Sequence, residues 1–301
     1  MFDGFEHQRI EVSDATIDLV RGGSGPPVLL LHGYPQTRAM WSSVAAALAE
    51  GHTVVAADLR GYGDSSKPPG GPDHAGYSKR AMAADQVEAM AALGFDRFAV
   101  IGHDRGARVG HRMALDHPER VERLAVLDIV PTRTVYATVD RELATRYYHW
   151  FFLIQPFDLP ERLIGADPVY YLRRALWSLG GGSLDAFAPE ALAEYERCFA
   201  DPAVVHATCE DYRAAASIDL AHDEADADRR VECPVLTLWG ANGTVGALYE
   251  PLEVWREYAD DARGRAVDAD HFLVEERPEE TLEALREFLD ARTETPRSSS
   301  E

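Results

Sequence analysis

Three residues, Asp104, Asp128 and His271, have the types and the order of a nucleophile, an acid and a base. Asp104 sits in Gly102-His103-Asp104-Arg105-Gly106, directly after the apolar run Phe98 to Ile101 and before a helix-like segment that ends at Asp116-His117-Pro118. Strand, sharp turn and helix, with small residues on both sides of one reactive side chain, is the pattern of the G-x-S-x-G nucleophile elbow. Here a carboxylate stands in place of the serine. A serine attacks acyl carbon, whereas a carboxylate is suited to displacing a leaving group from saturated carbon, forming an alkyl ester that water later opens at its carbonyl. Taken alone the string is weak, because an Asp between glycines also occurs in ordinary turns.

The elements around the elbow give it a context. Phe5 to Val12 and Ala15 to Val20 read as an opening hairpin. Pro26 to Leu31 and Thr53 to Ala57 are short continuous apolar runs of the kind buried parallel strands show. Helical patterns, Ala39 to Ala49 and Ser78 to Leu93, separate the strands, and a further strand, Val121 to Leu127, ends at Asp128. This strand-helix alternation predicts a doubly wound, mostly parallel sheet with its ligands at the carboxyl ends of the strands. His32, Asp104 and Asp128 all fall at such ends. From about Arg133 to Asp219 the chain becomes aromatic-rich and helical, with a Gly180-Gly181-Gly182 break, and reads as a helical cap inserted after the sixth strand. The sheet resumes at Pro234 to Gly240 and near Arg265 to Val267, and Glu279 to Ala291 closes as an amphipathic helix. The expected division is a core of residues 1–132 and 221–292, a cap of residues 133–220 and a disordered tail, 293–301.

Nucleophile, acid and base in this order at successive strand ends are the order of an alpha/beta-hydrolase fold. The acid in that fold has two possible homes. The second, Gly240-Ala241-Asn242-Gly243-Thr244-Val245-Gly246, contains no carboxylate, which leaves Asp128. Among eleven histidines only His271 follows a late strand and precedes a helix.

Composition narrows the partners. A chain of 301 residues with a net charge of −21 is a poor match for nucleic acid or an anionic membrane surface, both of which need a basic face. Lysine occurs only at positions 67 and 79. Three cysteines without C-x-x-C spacing imply a reducing compartment and no zinc site. With no signal-like N-terminus and no long apolar run, the expectation is a soluble, cytoplasmic protein.

At this point the sequence resembles the fluoroacetate (haloacetate) dehalogenases. The resemblance runs from His32-Gly33-Tyr34-Pro35-Gln36 through Gly102-His103-Asp104-Arg105-Gly106-Ala107-Arg108 and Leu127-Asp128-Ile129-Val130-Pro131-Thr132. It continues through Tyr148-His149-Trp150-Phe151-Phe152, Cys209-Glu210-Asp211-Tyr212-Arg213-Ala214 and His271-Phe272-Leu273-Val274-Glu275-Glu276. Related epoxide hydrolases and haloalkane dehalogenases usually carry Trp, not Arg, after the nucleophile. The resemblance implies hydrolysis of a 2-haloacetate to glycolate and halide, without a cofactor or metal, commonly in a homodimer. It further implies that His149, Trp150 and Tyr212 bind the departing halide.

The residues support that chemistry independently. Arg105 and Arg108 lie one and four positions after Asp104, on the first turn of one helix, so both guanidinium groups can reach the same side of a pocket. Two cations beside a carboxylate nucleophile would waste its charge unless they hold an anion, and a substrate carboxylate is the natural guest. The competing structural role, a salt bridge to a cap or helix acid, fits Arg108 better than Arg105. Backbone N–H groups of Tyr34 and Arg105 are expected to form an oxyanion hole, with His271, oriented by Asp128, activating water. Two positions depart from the family: Tyr34 where Phe is frequent, and Asp270 where a small residue precedes the base. Three other readings stay open: an epoxide hydrolase using Tyr147 or Tyr148 with Tyr212, a haloalkane dehalogenase, and a non-catalytic ligand receptor.

Overall fold

The apolar runs pair into one eight-stranded sheet, since runs that hydrophobic cannot leave either face in water. The structure, a computed structural model, describes residues 1–291. The strands are β1 (Glu6–Glu11), β2 (Thr16–Gly23), β3 (Pro27–Leu31), β4 (Thr53–Ala57), β5 (Phe98–His103), β6 (Val121–Leu127), β7 (Val235–Gly240) and β8 (Ala262–Val267). Their order across the sheet is β1-β2-β4-β3-β5-β6-β7-β8. The opening hairpin is antiparallel and joins the sheet antiparallel to β4, and every later pairing is parallel. Val28, Leu29, Leu30 and Leu31 of β3 are all buried. Each contributes about 1.5–3 kcal/mol by leaving water. No helix among the described residues is long and apolar enough to cross a membrane. The tail expected at 293–301 lies outside the described residues.

Between β6 and β7 the chain forms eight helices, from Thr132–Ala137 to Ile218–Ala225. Several start where the sequence dictates. Pro168, Pro189 and Pro202 each occupy the first helical position, where a missing N–H costs nothing. Asp167 and Asp201 cap two of these helices, accepting from the N–H groups of Tyr170 and Ala203. The triple glycine ends the helix Pro168–Leu179, with Gly181 and Gly182 at positive φ.

Two elements differ from the sequence reading. The single helix expected over Ala39 to Ala49 is a 3-10 turn, Arg38–Trp41, followed by a helix, Ser42–Leu48, because the Thr37 hydroxyl accepts from the Ala39 N–H and starts the first turn early. Strand β8 starts at Ala262, three residues before the stretch predicted from its apolar end. As an edge strand it alternates exposed residues such as Arg265 with its pairing backbone, so hydrophobicity alone hides its beginning.

The elbow is built by close approach. The Gly106 N–H donates to the His32 carbonyl at 2.9 Å, and a Cβ on Gly106 would lie 2.4 Å from the Leu31 carbonyl oxygen and 2.5 Å from that of His32. A Cβ on Gly102 would fall 2.6 Å from the Ala107 backbone. The glycines therefore let the helix Arg105–Asp116 press against β3 and β5, while the left-handed backbone of the turn falls on Asp104 itself, at φ 43°. Gly106→Ala is expected to destabilise the fold by about 1–3 kcal/mol through overpacking against backbone that cannot move. A urea unfolding midpoint equal to that of the unaltered protein would contradict this packing.

Candidate active site

A left-handed Asp costs about 1–2 kcal/mol. At Asp104 the surrounding backbone imposes it: the Asp104 N–H donates to the Leu127 carbonyl at 3.1 Å and its carbonyl accepts from the Arg108 N–H at 3.1 Å. The side chain is buried, and its Oδ2 accepts from the Tyr34 N–H at 3.0 Å. Burial alone would push this carboxyl up. The positive charges of His271, Arg108 and Arg105 outweigh burial and hold it below the usual carboxylate range. The nucleophile is thus kept ionised. Arg105 is the first residue of its helix, where backbone N–H groups lack an intrahelical acceptor, so the geometry suits the expected second oxyanion donor.

His271 lies in the loop between β8 and a short helix, Leu273–Glu276, and donates from Nδ1 to Asp128 Oδ2 at 2.6 Å. Asp128 also stands at a left-handed position, φ 53°, and its Oδ1 accepts from the Gly240 N–H at 2.9 Å. The end of β7, which carries no acid of its own, thereby supports the acid of β6. Burial would lower the His271 pKa, but the bond and charge of Asp128 reverse this and raise it. Nδ1 is thereby fixed as the donor, which leaves Nε2 as the basic nitrogen.

Two histidines outside the sequence prediction of the site brace it. His103, the residue before the nucleophile, donates from Nε2 to the His271 carbonyl at 2.9 Å, and the two rings lie 4.6 Å apart. Burial, aided by the charge of His271, pushes His103 down to about 3, so it stays a neutral donor. His32 donates from Nδ1 to the Gly33 carbonyl and accepts at Nε2 from the Leu59 N–H, tying together the loops after β3 and β4. Glu276 clamps the histidine loop by accepting from the N–H groups of Asp270 and Phe272. Only the place of His32 at a strand end was visible in the sequence. The partners of all three are backbone groups brought in by the fold.

The two arginines, both expected to hold a substrate carboxylate, have different partners. Arg105, fully buried, forms the bridge to a cap acid: Nε and Nη2 donate to the Asp211 carboxylate at 2.9 and 2.6 Å, and Nη2 also donates to the Asp211 carbonyl. Tyr62 donates to Asp211 at 2.7 Å, and the Lys79 ammonium bonds its other oxygen. Arg105 Nη1 is buried without a partner among the described residues. Arg108 meets no acid bridge among the described residues. Its Nη1 donates to the Val130 carbonyl and the Thr132 hydroxyl, both at 3.0 Å, and its Nε is buried and unpartnered among the described residues. The Asp211 partner is 106 residues away in sequence, so spacing along the helix could not reveal it.

The cap aromatics close over this pair. The Arg108 guanidinium lies 4.7 Å from the Trp150 ring centroid, and that of Arg105 lies 4.2 Å from Tyr212 and 6.0 Å from Trp150. The His149 and Tyr212 rings are 5.8 Å apart, and those of Trp150 and Tyr212 6.1 Å. The Tyr212 hydroxyl is buried with no partner among the described residues. Burial pushes His149 down to about 3, making it a neutral N–H donor. The structure therefore brings the three cap residues together beside the arginines. Tyr34 stacks on His149 at 5.6 Å, and its hydroxyl donates to that of Tyr171 in the cap at 3.2 Å. The extra oxygen at this position is thus tied to the cap. The Asp270 carboxylate makes no hydrogen bond to His271; it packs against Gly181, where an added Cβ would meet it at 2.2 Å.

Among the described residues, one group able to hold a metal ion brings together Asp18, Asp58 and Asp64. Arg38 already serves that cluster, 2.7 Å from Asp18 Oδ1 and bonded to Asp58.

Residues 26–278 match the family model of the alpha/beta hydrolase fold. The chain is 51% identical over 294 residues to a fluoroacetate dehalogenase from Burkholderia sp, covering 97% of both proteins. It is 35% identical over 286 residues to a soluble epoxide hydrolase from Corynebacterium sp. (strain C12), covering 94% of this chain and 96% of the other. Among solved structures, a provisionally named alpha/beta hydrolase from Nostoc sp PCC 7120 superposes with a TM-score of 0.96 at 58% identity, over 97% of this chain and 100% of that one. The fold class read from strand order and the resemblance read from the motifs thus agree with the relatives, and the chain belongs to the alpha/beta hydrolase family.

Proposed function

We propose that this protein hydrolyses 2-haloacetates, fluoroacetate and chloroacetate among them, to glycolate and halide through an ester on Asp104. The observation that carries the reading is the pair of buried guanidinium nitrogens without a partner among the described residues, Arg105 Nη1 and Arg108 Nε, on the helix that follows Asp104. Buried donors that strong demand an acceptor, and a substrate carboxylate supplies one. Arg105 is already charge-compensated by Asp211, so it acts mainly as an aimed donor, while Arg108, whose charge faces Asp104, supplies the second.

With the carboxylate held there, Asp104 attacks the methylene carbon and the carbon-halogen bond breaks toward His149, Trp150 and Tyr212. Their N–H and O–H groups stabilise charge as it develops on the halide. His271 then takes a proton from water, the hydroxide adds to the ester carbonyl, and the N–H groups of Tyr34 and Arg105 hold the oxyanion. Collapse returns the proton to the glycolate oxygen. A haloalkane dehalogenase would not place two buried guanidinium groups beside its nucleophile. A mere receptor has no need of the bonded Asp128-His271 pair. The three unpaired cysteines suit a cytoplasmic setting, and we take the working unit to be a homodimer.

Asp104→Ala is expected to abolish turnover, while His271→Ala leaves alkylation intact and stops hydrolysis. Mass spectrometry of the His271 variant with chloroacetate should then show an adduct on the Asp104 peptide, and binding without any adduct would sink the two-step scheme. Arg105→Ala and Arg108→Ala should each remove roughly 1.5–3 kcal/mol of charge-assisted hydrogen bonding to haloacetate but much less to haloacetamide. Equal losses in kcat/KM on both substrates would mean that the arginines only support structure. Substituting His149 or Trp150 should lower fluoroacetate turnover by about tenfold or more and bromoacetate turnover less, because compact fluoride depends most on hydrogen bonds as it leaves. A loss independent of the halogen would assign both residues to packing.

A further inference from the structure

The site holds more chemistry than a departing halide requires. A halide leaves as an anion and needs hydrogen bonds but no proton. Tyr212, however, offers a transferable proton: its hydroxyl is wholly buried, bonded to nothing among the described residues, and set in the ring cluster of Tyr34, His149 and Trp150. Burial and the charge of Asp104 hold the phenol in its protonated form, and the Arg105 guanidinium, 4.2 Å from the ring centroid, offsets part of the cost of a transient phenolate. A phenol so placed suits a leaving oxygen. The arginine pair, in turn, suits only a substrate that carries a carboxylate. A neutral epoxide accounts for the tyrosine and leaves the arginines idle, while a haloacetate accounts for the arginines and leaves the phenolic proton unused.

One substrate class uses both. We propose that the same site hydrolyses 2,3-epoxycarboxylates, of which glycidate is the smallest, to the 2,3-dihydroxy acids. The inference rests on the haloacetate reading for the place of the carboxylate. In glycidate the carbon next to the carboxylate bears oxygen where a haloacetate bears halogen, and a single additional methylene closes the ring. Asp104 attacks that carbon, the bond from it to the ring oxygen breaks, and the oxygen, still attached to the terminal carbon, takes the Tyr212 proton. His271 then activates water against the Asp104 ester, and its proton passes to the departing hydroxyl of glycerate. The carboxyl proton left on Asp104 restores Tyr212. The sum is glycidate plus water giving glycerate, with no other reagent. His149, neutral because burial pushes it down to about 3, is a hydrogen-bond donor but a poor acid here, which leaves the proton transfer to Tyr212.

The test is to incubate the protein with glycidate and measure glycerate, with bromide release from bromoacetate followed in the same preparation and glycidol as the uncharged control. Glycerate should form with the unaltered protein, not with Asp104→Ala, and glycidol should be left intact. Tyr212→Phe, checked for an unchanged unfolding midpoint, should slow glycidate hydrolysis about a hundredfold or more, the usual worth of a general acid, and bromide release less than about tenfold. No glycerate above the rate without enzyme overturns the proposal, and bromide release in that preparation shows whether the haloacetate reading falls with it. Equal losses on glycidate and bromoacetate in Tyr212→Phe overturn the assignment of Tyr212 as the acid.

Discussion

A carboxylate buried at a left-handed turn is the constraint on which the rest of this structure depends. Isolated there, Asp104 would protonate and lose its nucleophilicity, because burial disfavours charge. Three cationic or protonatable groups and one N–H keep it ionised, and they arrive from three different elements. Tyr34 comes from the loop after β3, Arg105 and Arg108 from the helix that follows, and His271 from the loop after β8. The sheet order, with β5 between β3 and β6, makes that convergence possible.

Arg105 carries the constraint outward to the cap. Its bonds to Asp211 join the elbow helix to the cap helix Pro202–Ala215, and Lys79 and Tyr62 reach the same carboxylate from the core. Removing one partner of such a buried pair costs about 3–5 kcal/mol, since the other is left charged and unpaired. The compact ammonium of Lys79 stands between Asp211 and Asp219 and serves both carboxylates. The cap is therefore seated by the same charge network that orients the substrate donor, and cap and chemistry are one electrostatic unit.

Neutral donors perform the complementary work. His103, His149 and the Tyr212 hydroxyl are kept uncharged by burial, so they can hydrogen-bond without competing with the arginines for the anion. Glu275 shows the cost of the opposite situation. Burial, with the charge of Glu276 beside it, pushes its carboxyl up to about 8 although Tyr195 and Gln36 donate to it.

Much of this was legible in the chain itself. Apolar runs with abrupt ends placed the strands, and the Gly102-to-Gly106 string, with Asp128 and His271 at later strand ends, singled out the three residues that the fold brings together. These are local signals, carried by residues within one strand and its following turn. The sequence could not distribute partners across distance. It set both arginines against a substrate carboxylate and gave no sign of the Asp211 bridge, which reaches Arg105 only through the packing of the cap. It offered no role for His103 or Glu276, whose partners are backbone groups of a loop that the sheet brings alongside. The order of nucleophile, acid and base follows from chain topology and is written in sequence. The orientation of each donor depends on which buried group meets which, and only the tertiary structure decides that.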